Sequence, residues 1–234
     1  MIIKGSFPFL EEKGHVISLV GAGGKTTLMY AFAESFAGKG FRTLVTTTTH
    51  IFKPDEGILA GDAEDIRRLW SRGFYAVAGS PAENRKLKGL PAEKLKEYMG
   101  MAEAVLIEAD GAKRMPCKVP AAHEPVILDE CDIVVGVMGM DAIGRPLGEV
   151  CFRTEEAVRL LGVSPDELLT PAMAAKILSS EAGIRKNVGG RKYYAVLNKC
   201  NTPACIRAGE EIRQLLAEKG IRTCVLTGFS QKGT

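Results

Sequence analysis

Residues 15–27 read HVISLVGAGGKTT, and this stretch decides which fold the chain is expected to have. Its apolar residues 16–20 predict a buried parallel strand. The glycines that follow allow a tight turn with backbone N–H groups facing inward, and Lys25 opens a segment whose apolar residues recur at helical spacing. Because a helix N-terminus carries free N–H groups and partial positive charge, the stretch predicts a phosphate-binding loop.

The glycine loop is shorter than the common phosphate-binding pattern. That pattern, G-x-x-x-x-G-K-[ST], requires glycine where this chain has Leu19. Residues 21–27 instead fit G-x-x-G-K-T-T, which is similar to the loop of the Mur-type peptide ligases. The pattern also fits a glycine-rich turn with an unrelated lysine, but the flanking strand and helix favour nucleotide binding. The predicted nucleotide-binding residues of the loop are Gly21, Ala22, Gly23, Gly24, Lys25, Thr26 and Thr27.

Two loop residues have a predicted role with ATP or GTP and its Mg²⁺ ion. Lys25 could reach the β- and γ-phosphates, and the Thr26 hydroxyl could hold the metal. As a surface lysine, Lys25 is expected to contribute little to stability. Lys25→Ala is therefore expected to abolish nucleotide hydrolysis and to leave the fold intact.

Two carboxylates end another apolar segment. Residues 104–110 read AVLIEAD, which predicts a buried strand, and strand alternation points Glu108 and Asp110 the same way. Carboxylate oxygens beside a phosphate loop suit Mg²⁺, and one of them could orient an attacking water. A pair of solvated acids at a strand end is the other interpretation. The expected metal residues are Thr26, Glu108 and Asp110, and the expected catalytic residues are Lys25, Glu108 and Asp110.

Two segments are candidates for contacting a second substrate or the γ-phosphate. Residues 46–50 read TTTTH at the predicted carboxyl end of a strand, where open α/β sheets bind their ligands. Residues 111–127 form an irregular, proline-rich segment whose basic groups could bind an anion. Alternatively, threonine is simply favoured in strands, the histidine is structural and the second segment is a solvated connection. The candidate residues are Thr48, His50, Lys113, Arg114 and His123.

A possible base-binding motif ends the strand predicted at residues 192–200. GTP-binding proteins place N-K-x-D at such a strand end, where asparagine and lysine support the base and aspartate binds guanine. Asn198 and Lys199 match this motif, but Asn201 replaces the aspartate. An amide presents a donor as well as an acceptor, so the sequence leaves ATP and GTP both open.

Strands and helices alternate along the chain. About seven strands predict an α/β, P-loop nucleotide-binding fold whose mainly parallel sheet carries helices on both faces, in a single domain over 1–234. Residues 1–14 are expected to form an edge segment packed by Phe7, Phe9 and Leu10, and residues 79–89 a polar loop. The predicted strands are 15–20, 42–48, 75–78, 104–110, 132–140, 192–200 and 222–229, and the helices begin near Lys25 and span 62–70, 91–99, 153–162, 170–182 and 203–220.

Composition excludes several classes of protein. The 234 residues are 46% hydrophobic and 25% charged, and the net charge of +3 is not gathered into a basic tail, which argues against nucleic-acid binding. No stretch approaches the roughly 18 apolar residues that span a bilayer, and the start lacks a signal-like core, so we expect no membrane partner and a cytoplasmic location. The six cysteines lack metal-ligand spacing and are expected to be reduced.

Four segments carry a resemblance to one family over nearly the whole chain. VGAGGKTT at 20–27, TTTTH at 46–50, EADGAKRMPCKVPAAHEPVI at 108–127 and VLNKCN at 196–201 are similar to the YqeC-type family of selenium-dependent hydroxylase accessory proteins. The resemblance implies a P-loop NTP-binding fold with a role in maturing selenium-dependent molybdenum hydroxylases. Such an enzyme, or its cofactor, would be the client. Asn201 departs from N-K-x-D, so the chain lacks the aspartate that would recognise guanine at this position.

These observations give one leading hypothesis and two alternatives. The leading hypothesis is an Mg²⁺-dependent nucleoside triphosphatase that assists hydroxylase maturation. The alternatives are a nucleotide-controlled binding switch with little catalysis, and a small-molecule kinase or ligase that uses its short loop as the Mur-type ligases do. Product analysis separates them, because only the kinase or ligase would yield a phosphorylated or ligated small molecule.

Overall fold

The structure, a computed structural model, describes residues 2–4, 7–54 and 56–228. Within this part of the chain, seven α-helices and several short 3₁₀ turns accompany three β-sheets. The strands are β1 Ile2–Lys4, β2 His15–Gly21, β3 Thr43–Thr47, β4 His50–Phe52, β5 Leu59–Ala60, β6 Ala76–Ala78, β7 Ser80–Ala82, β8 Lys86–Lys88, β9 Ala104–Glu108, β10 Cys117–Lys118, β11 Ile133–Gly139, β12 Cys151–Phe152, β13 Lys192–Asn198 and β14 Cys224–Gly228. The helices are α1 Lys25–Gly38, α2 Ala63–Ser71, α3 Ala92–Met101, α4 Leu147–Val150, α5 Thr154–Leu161, α6 Pro171–Ser179 and α7 Pro203–Glu218.

The main sheet confirms the predicted α/β fold class. Its nine described strands have the order β1-β14-β13-β11-β2-β9-β3-β6-β5, and all pairs are parallel except the edge pair β1–β14. The seven predicted strands correspond to β2, β3, β6, β9, β11, β13 and β14, although Phe229, the last residue of the predicted 222–229, lies outside the described residues. The strands that sequence patterns missed, β1 and β5, are edge strands of three and two residues, too short for any periodicity.

Two hydrophobic cores lie on opposite faces of the sheet, because successive side chains of a strand alternate. In β11, Val135 packs in the core with Phe32 of α1, whereas Val134 packs in the core with Ile177 of α6. Helices therefore cover both faces, as predicted. Phe7, one of the residues expected to pack the amino-terminal segment, contacts α1, with its ring centroid 4.8 Å from that of Phe32.

The prediction of a polar loop over 79–89 is wrong. Strands β7 and β8 form a hairpin there, and β8 also pairs with β4 in a small antiparallel sheet of order β4-β8-β7. Ile51 and Leu87 are buried on one face of this sheet, whereas Phe52, on the other face, is exposed. Three-residue strands with at most one buried residue each carry too weak a pattern to be recognised locally. The small sheet lies beside the carboxyl end of β3, next to the predicted site.

Three further features of the described residues concern the cysteines, the start of helix α6 and membrane-spanning helices. All six cysteines are free, as expected. Thr170 accepts a hydrogen bond from the backbone N–H of Met173 and so caps α6, whose first residue is Pro171. Among the described residues, no helix is both long enough and apolar enough to cross a membrane.

Candidate functional site

The glycine loop joins β2 to α1 at the carboxyl edge of the sheet. Gly21, Gly23 and Gly24 have φ of 94°, 78° and 114°, in the left-handed region that favours glycine. A Cβ atom on Gly21 would overlap the carbonyl oxygen of Val137, and one on Gly23 would overlap the backbone nitrogen of Gly139. The glycines are therefore required both by the turn and by the close approach of the loop to the end of β11.

The donors of the loop are divided between the protein and the site. The N–H of Gly21 donates to Asp110 Oδ2 at 3.0 Å, that of Ala22 to Val137 O at 2.8 Å and that of Gly23 to Met115 O at 3.1 Å. These three groups hold the loop in place. Helix α1 has no side-chain cap at Gly24 and no acidic residue in its first turn, so no side chain of the helix end competes with an anion for its first N–H groups.

Lys25 is not the surface lysine that was expected. Its side chain is only 3% exposed, and its Nζ donates to Gly21 O at 2.6 Å. The same Nζ lies 3.1 Å from Asp110 Oδ1 and 3.7 Å from Glu108 Oε1. The surface position on which the stability expectation rested is therefore wrong, because Lys25 is the buried cation shared by two buried carboxylates.

Glu108 and Asp110 both lie close to Lys25, although β9 ends at Glu108 and Asp110 lies two residues beyond the strand. Glu108 also accepts a hydrogen bond from Thr26 Oγ1 at 2.6 Å. Burial raises the pKa of Glu108 above its ordinary value, while the charge of Lys25 and the Thr26 hydrogen bond act in the opposite direction. Oδ1 of Asp110 is buried without a hydrogen bond of good geometry. A buried carboxylate oxygen left in this way suits a cation.

The donor set fits Mg²⁺ held jointly with phosphates. The described residues contain no cluster of three or more His, Cys, Asp or Glu side chains that could hold a metal ion. Mg²⁺ characteristically uses one or two carboxylates and completes its shell with water and substrate phosphates. Thr26, Glu108 and Asp110 could supply that protein share, with the Thr26 hydroxyl and the Glu108 carboxylate already in contact.

Lys118, one of the basic groups of the proline-rich segment, continues the charge network. Its side chain is fully buried, with Nζ 3.0 Å from Asp110 Oδ2 and 2.9 Å from Glu124 Oε2. Burial would raise the pKa of Glu124, but hydrogen bonds from Arg153 and Lys118 lower it below its ordinary value. A lysine between Cys117 and Val119 was the available signal, since an isolated charge in a short apolar run needs a partner. The network contains, in order of contact, Glu108, Lys25, Asp110, Lys118, Glu124 and Arg153.

A cavity of about 810 Å³ opens over the glycine loop, within the range of roughly 300–1,000 Å³ typical of small-molecule sites. It contains most of the predicted residues: Gly23, Gly24, Lys25, Thr26, Thr27, His50, Glu108, Lys113, Arg114, His123 and Lys199. The predicted residues that do not line it are Gly21, Ala22, Thr48, Asp110 and Asn198. Residues that line it but were missed include Phe52, Lys86 and Glu124.

Asn198 and Thr48 do not line the cavity, but they hydrogen-bond to residues that do. Asn198 Nδ2 donates to Gly23 O at 2.8 Å, and its Oδ1 accepts from Thr227 Oγ1 at 2.9 Å, so both ends of the amide are engaged. Thr48 Oγ1 donates to Val126 O at 2.9 Å and so ties β3 to the proline-rich segment. Lys199 faces the cavity, where its Nζ lies 2.6 Å from Asp141 Oδ2.

In the main parallel sheet, the glycine loop joins strand β2 to helix α1. This arrangement defines an α/β protein with a P-loop type of fold. A model of the YqeC protein family matches residues 17–155, which include the loop, both acids and Lys118. The curated protein described as "Uncharacterized protein YqeC" of Escherichia coli (strain K12) is 32% identical over 186 residues, 76% of this chain and 73% of that protein. The chain belongs to the YqeC family, which confirms the resemblance of its motifs.

Proposed function

We propose that the protein binds a nucleoside triphosphate with Mg²⁺ over the glycine loop and hydrolyses its terminal phosphate. The observation that carries this proposal is Lys25, which lies at the uncapped N-terminus of α1 between Glu108 and Asp110. A helix end, a lysine and two carboxylates together match the needs of phosphates and of a hard cation. The phosphates would lie against the first turn of α1 and draw Lys25 away from its carboxylates.

Each residue has a separate task in this proposal. Lys25 and the N–H groups of α1 stabilise charge on the phosphates, and catalysis of this kind depends mainly on positioning and charge stabilisation. Thr26, Glu108 and Asp110 would hold Mg²⁺, which supplies charge neutralisation of the phosphate oxygens when bound. The Glu108 carboxylate is also a candidate to orient the attacking water. Asn198 keeps the loop in shape through its bond to Gly23 O.

The biological role that we propose is accessory. Family membership supports at most an accessory role, and the proposed client is a selenium-dependent molybdenum hydroxylase or its cofactor. The choice between ATP and GTP stays open, because the Asn198 amide has both ends bonded within the protein. The cytoplasmic location and the single domain also stay predictions.

Calorimetric titration with ATP, GTP and their diphosphates, with and without Mg²⁺, tests the proposal. We expect Mg²⁺-dependent binding of one triphosphate and release of inorganic phosphate, both lost in Lys25→Ala. Lys39→Ala is the matched control, because Lys39 caps the other end of α1 and pairs with Glu11 at 2.7 Å. No binding of any nucleotide to the folded protein would contradict the proposal. Binding without phosphate release would reduce it to a nucleotide-controlled switch.

A further inference from the structure

Three basic side chains on the rim of the cavity differ from the other cations there. Lys86, Lys113 and Arg114 all line the cavity. Within the part of the chain that the structure describes, none of the three has a carboxylate at ion-pair distance, whereas Lys25 and Lys199 are paired with acids. The rim therefore carries positive charge that the protein itself does not neutralise.

Aromatic rings hold these cations in place. The guanidinium Cζ of Arg114 lies 4.7 Å from the ring centroid of Phe52, and Nζ of Lys86 lies 5.3 Å from the same centroid. Nζ of Lys113 lies 5.2 Å from the ring centroid of Phe152. A ring attracts a cation through its quadrupole but leaves its charge available to an anion. We call Phe52, Lys86, Lys113 and Arg114 the basic rim.

The small sheet presents half of the basic rim. Ile51 and Leu87 are buried on its inner face, and alternation places Phe52 and Lys86 on the outer face together with His50. Phe52 is 46% exposed, which is high for a large apolar side chain. A second cavity of about 740 Å³ adjoins this face and shares His50 and Lys86 with the first. The space beside the nucleotide site thus continues over the small sheet.

Backbone strain positions the other half of the basic rim. Lys113 and Arg114 are consecutive non-glycine residues with φ of 46° and 63°. Left-handed geometry is strained for such residues and is retained mainly where surrounding structure imposes it. The turn is anchored at the next residue, where the N–H of Met115 donates to Ala112 O at 2.9 Å and Met115 O accepts the N–H of Gly23 at 3.1 Å. The same turn thus fixes the glycine loop and directs two cations into the cavity.

We propose that the basic rim binds a second substrate, a small molecule with a carboxylate or phosphate group, beside the nucleotide. The proposal rests on the proposed nucleotide function and adds the class of its second substrate. Lys25, the end of α1 and the proposed Mg²⁺ ligands form the part of the cavity that would hold the nucleotide phosphates, and the basic rim lies beside it as a second group of cations. The guanidinium fork of Arg114 suits the paired oxygens of either group, and Phe52 offers an apolar surface to the carbon skeleton.

The test uses protein saturated with Mg²⁺ and the β,γ-imido analogue of the preferred triphosphate, so that the loop is filled. Inorganic phosphate and citrate are then titrated calorimetrically as probes of the two anion classes. We expect at least one probe to bind, and Arg114→Ala to weaken that binding about tenfold more than it weakens binding of the Mg²⁺-diphosphate.

Arg72→Ala is the matched control, because Arg72 lies 5.3 Å from the ring of the exposed Phe74, away from the cavity. It should leave probe binding unchanged. Absence of binding by both probes would overturn the proposal, as would an equal loss in Arg72→Ala. If Arg114→Ala weakens triphosphate but not diphosphate binding, the rim serves the γ-phosphate and the second-substrate proposal fails.

If the proposed nucleotide function is wrong, the titrations give a result that differs from failure of the second-substrate proposal. In that case neither triphosphate binds, and the same probe titrations are made on nucleotide-free protein. Binding that depends on Arg114 and not on Lys25 would then keep the anion site while the nucleotide proposal falls. Binding that depends equally on Arg114 and Lys25 would overturn the proposal that the basic rim is a site separate from the glycine loop.

Discussion

Two glutamates flank strand β9, and their surroundings shift their pKa values in opposite directions. At the amino end, the backbone N–H of Arg42 donates to Glu103 at 3.0 Å and Lys13 Nζ at 2.9 Å, and these bonds lower the pKa of Glu103 to about 2. At the carboxyl end, burial raises the pKa of Glu108. The surroundings of Glu103 stabilise its charged form, whereas the buried Glu108 carboxylate depends on Lys25 for a compensating charge.

This difference separates the amino edge of the sheet, where the acid has exposed partners, from the carboxyl edge, where we propose that a ligand binds. Glu103 accepts hydrogen bonds from Lys13 and Arg42, which do not line the cavity, so no ligand there would have to displace them. Glu108 and Asp110 instead share Lys25, and a phosphate that attracted Lys25 would release both acids toward a metal ion. Parallel sheets commonly bind ligands at their carboxyl edge, and here that edge holds the buried charges.

The largest expected effect comes from removing the shared cation. Lys25→Ala should lower the free energy of unfolding at neutral pH by about 3 kcal/mol, because it leaves buried carboxylates without their partner. Urea unfolding measures this loss. Lys13→Ala, which removes the exposed partner of Glu103, should cost less than about 1 kcal/mol. Equal losses in the two variants would remove the distinction between the ends of β9.

Lys118→Met should have the next largest effect, about 2 kcal/mol, since Asp110 and Glu124 each keep one other cation. Methionine fills similar volume and leaves the change mainly electrostatic. Lys192→Met, at an exposed position in β13, is the control and should be within about 0.5 kcal/mol of the parent. A Lys118→Met protein as stable as the control would mean that the buried network contributes nothing to the fold.

Replacing each glutamate separates binding from stability. Glu108→Gln should weaken Mg²⁺-dependent nucleotide binding about tenfold or more and leave Mg²⁺-free binding nearly unchanged, because an amide is a poorer ligand for a hard cation. Glu103→Gln should leave both affinities unchanged. Calorimetry with and without Mg²⁺ measures the pair. Loss of both kinds of binding in Glu108→Gln would assign that acid to the shape of the loop and not to the metal.

The smallest expected effect is a pH dependence. The folded pKa of Glu103 is about 2, against an ordinary value of 4.5, so the unfolded chain takes up this proton first as the pH falls. Its contribution to stability is complete above about pH 4.5 and is lost as the pH falls toward 2. Glu103→Gln should flatten the acid limb in urea unfolding at successive pH values. Glu108 acts with the opposite sign, because its raised pKa makes the folded state bind the proton more tightly.

Local patterns were sufficient where one segment carries its own signal. The strand at residues 16–20, the glycine turn and the apolar face of α1 follow from residue type and spacing alone. The pattern also placed Glu108 at the end of a buried strand, but Asp110 lies beyond β9 and is positioned by its contacts with Gly21, Lys25 and Lys118. Edge strands and the small sheet were not predictable in this way, because the burial of Ile51 and Leu87 depends on which surface they cover.

The sequence by itself determined the parallel α/β architecture, the glycine loop and the acids at the end of β9, because periodicity and glycine geometry act within a few residues. Only the tertiary structure decided that Lys25 is buried, that Lys118 joins the network and that the basic rim faces the same cavity. These outcomes depend on the long-range contacts of Lys25 with Asp110, of Lys118 with Glu124 and of Arg114 with Phe52. A lysine is buried only where folding brings carboxylates to it, and no local pattern specifies that meeting.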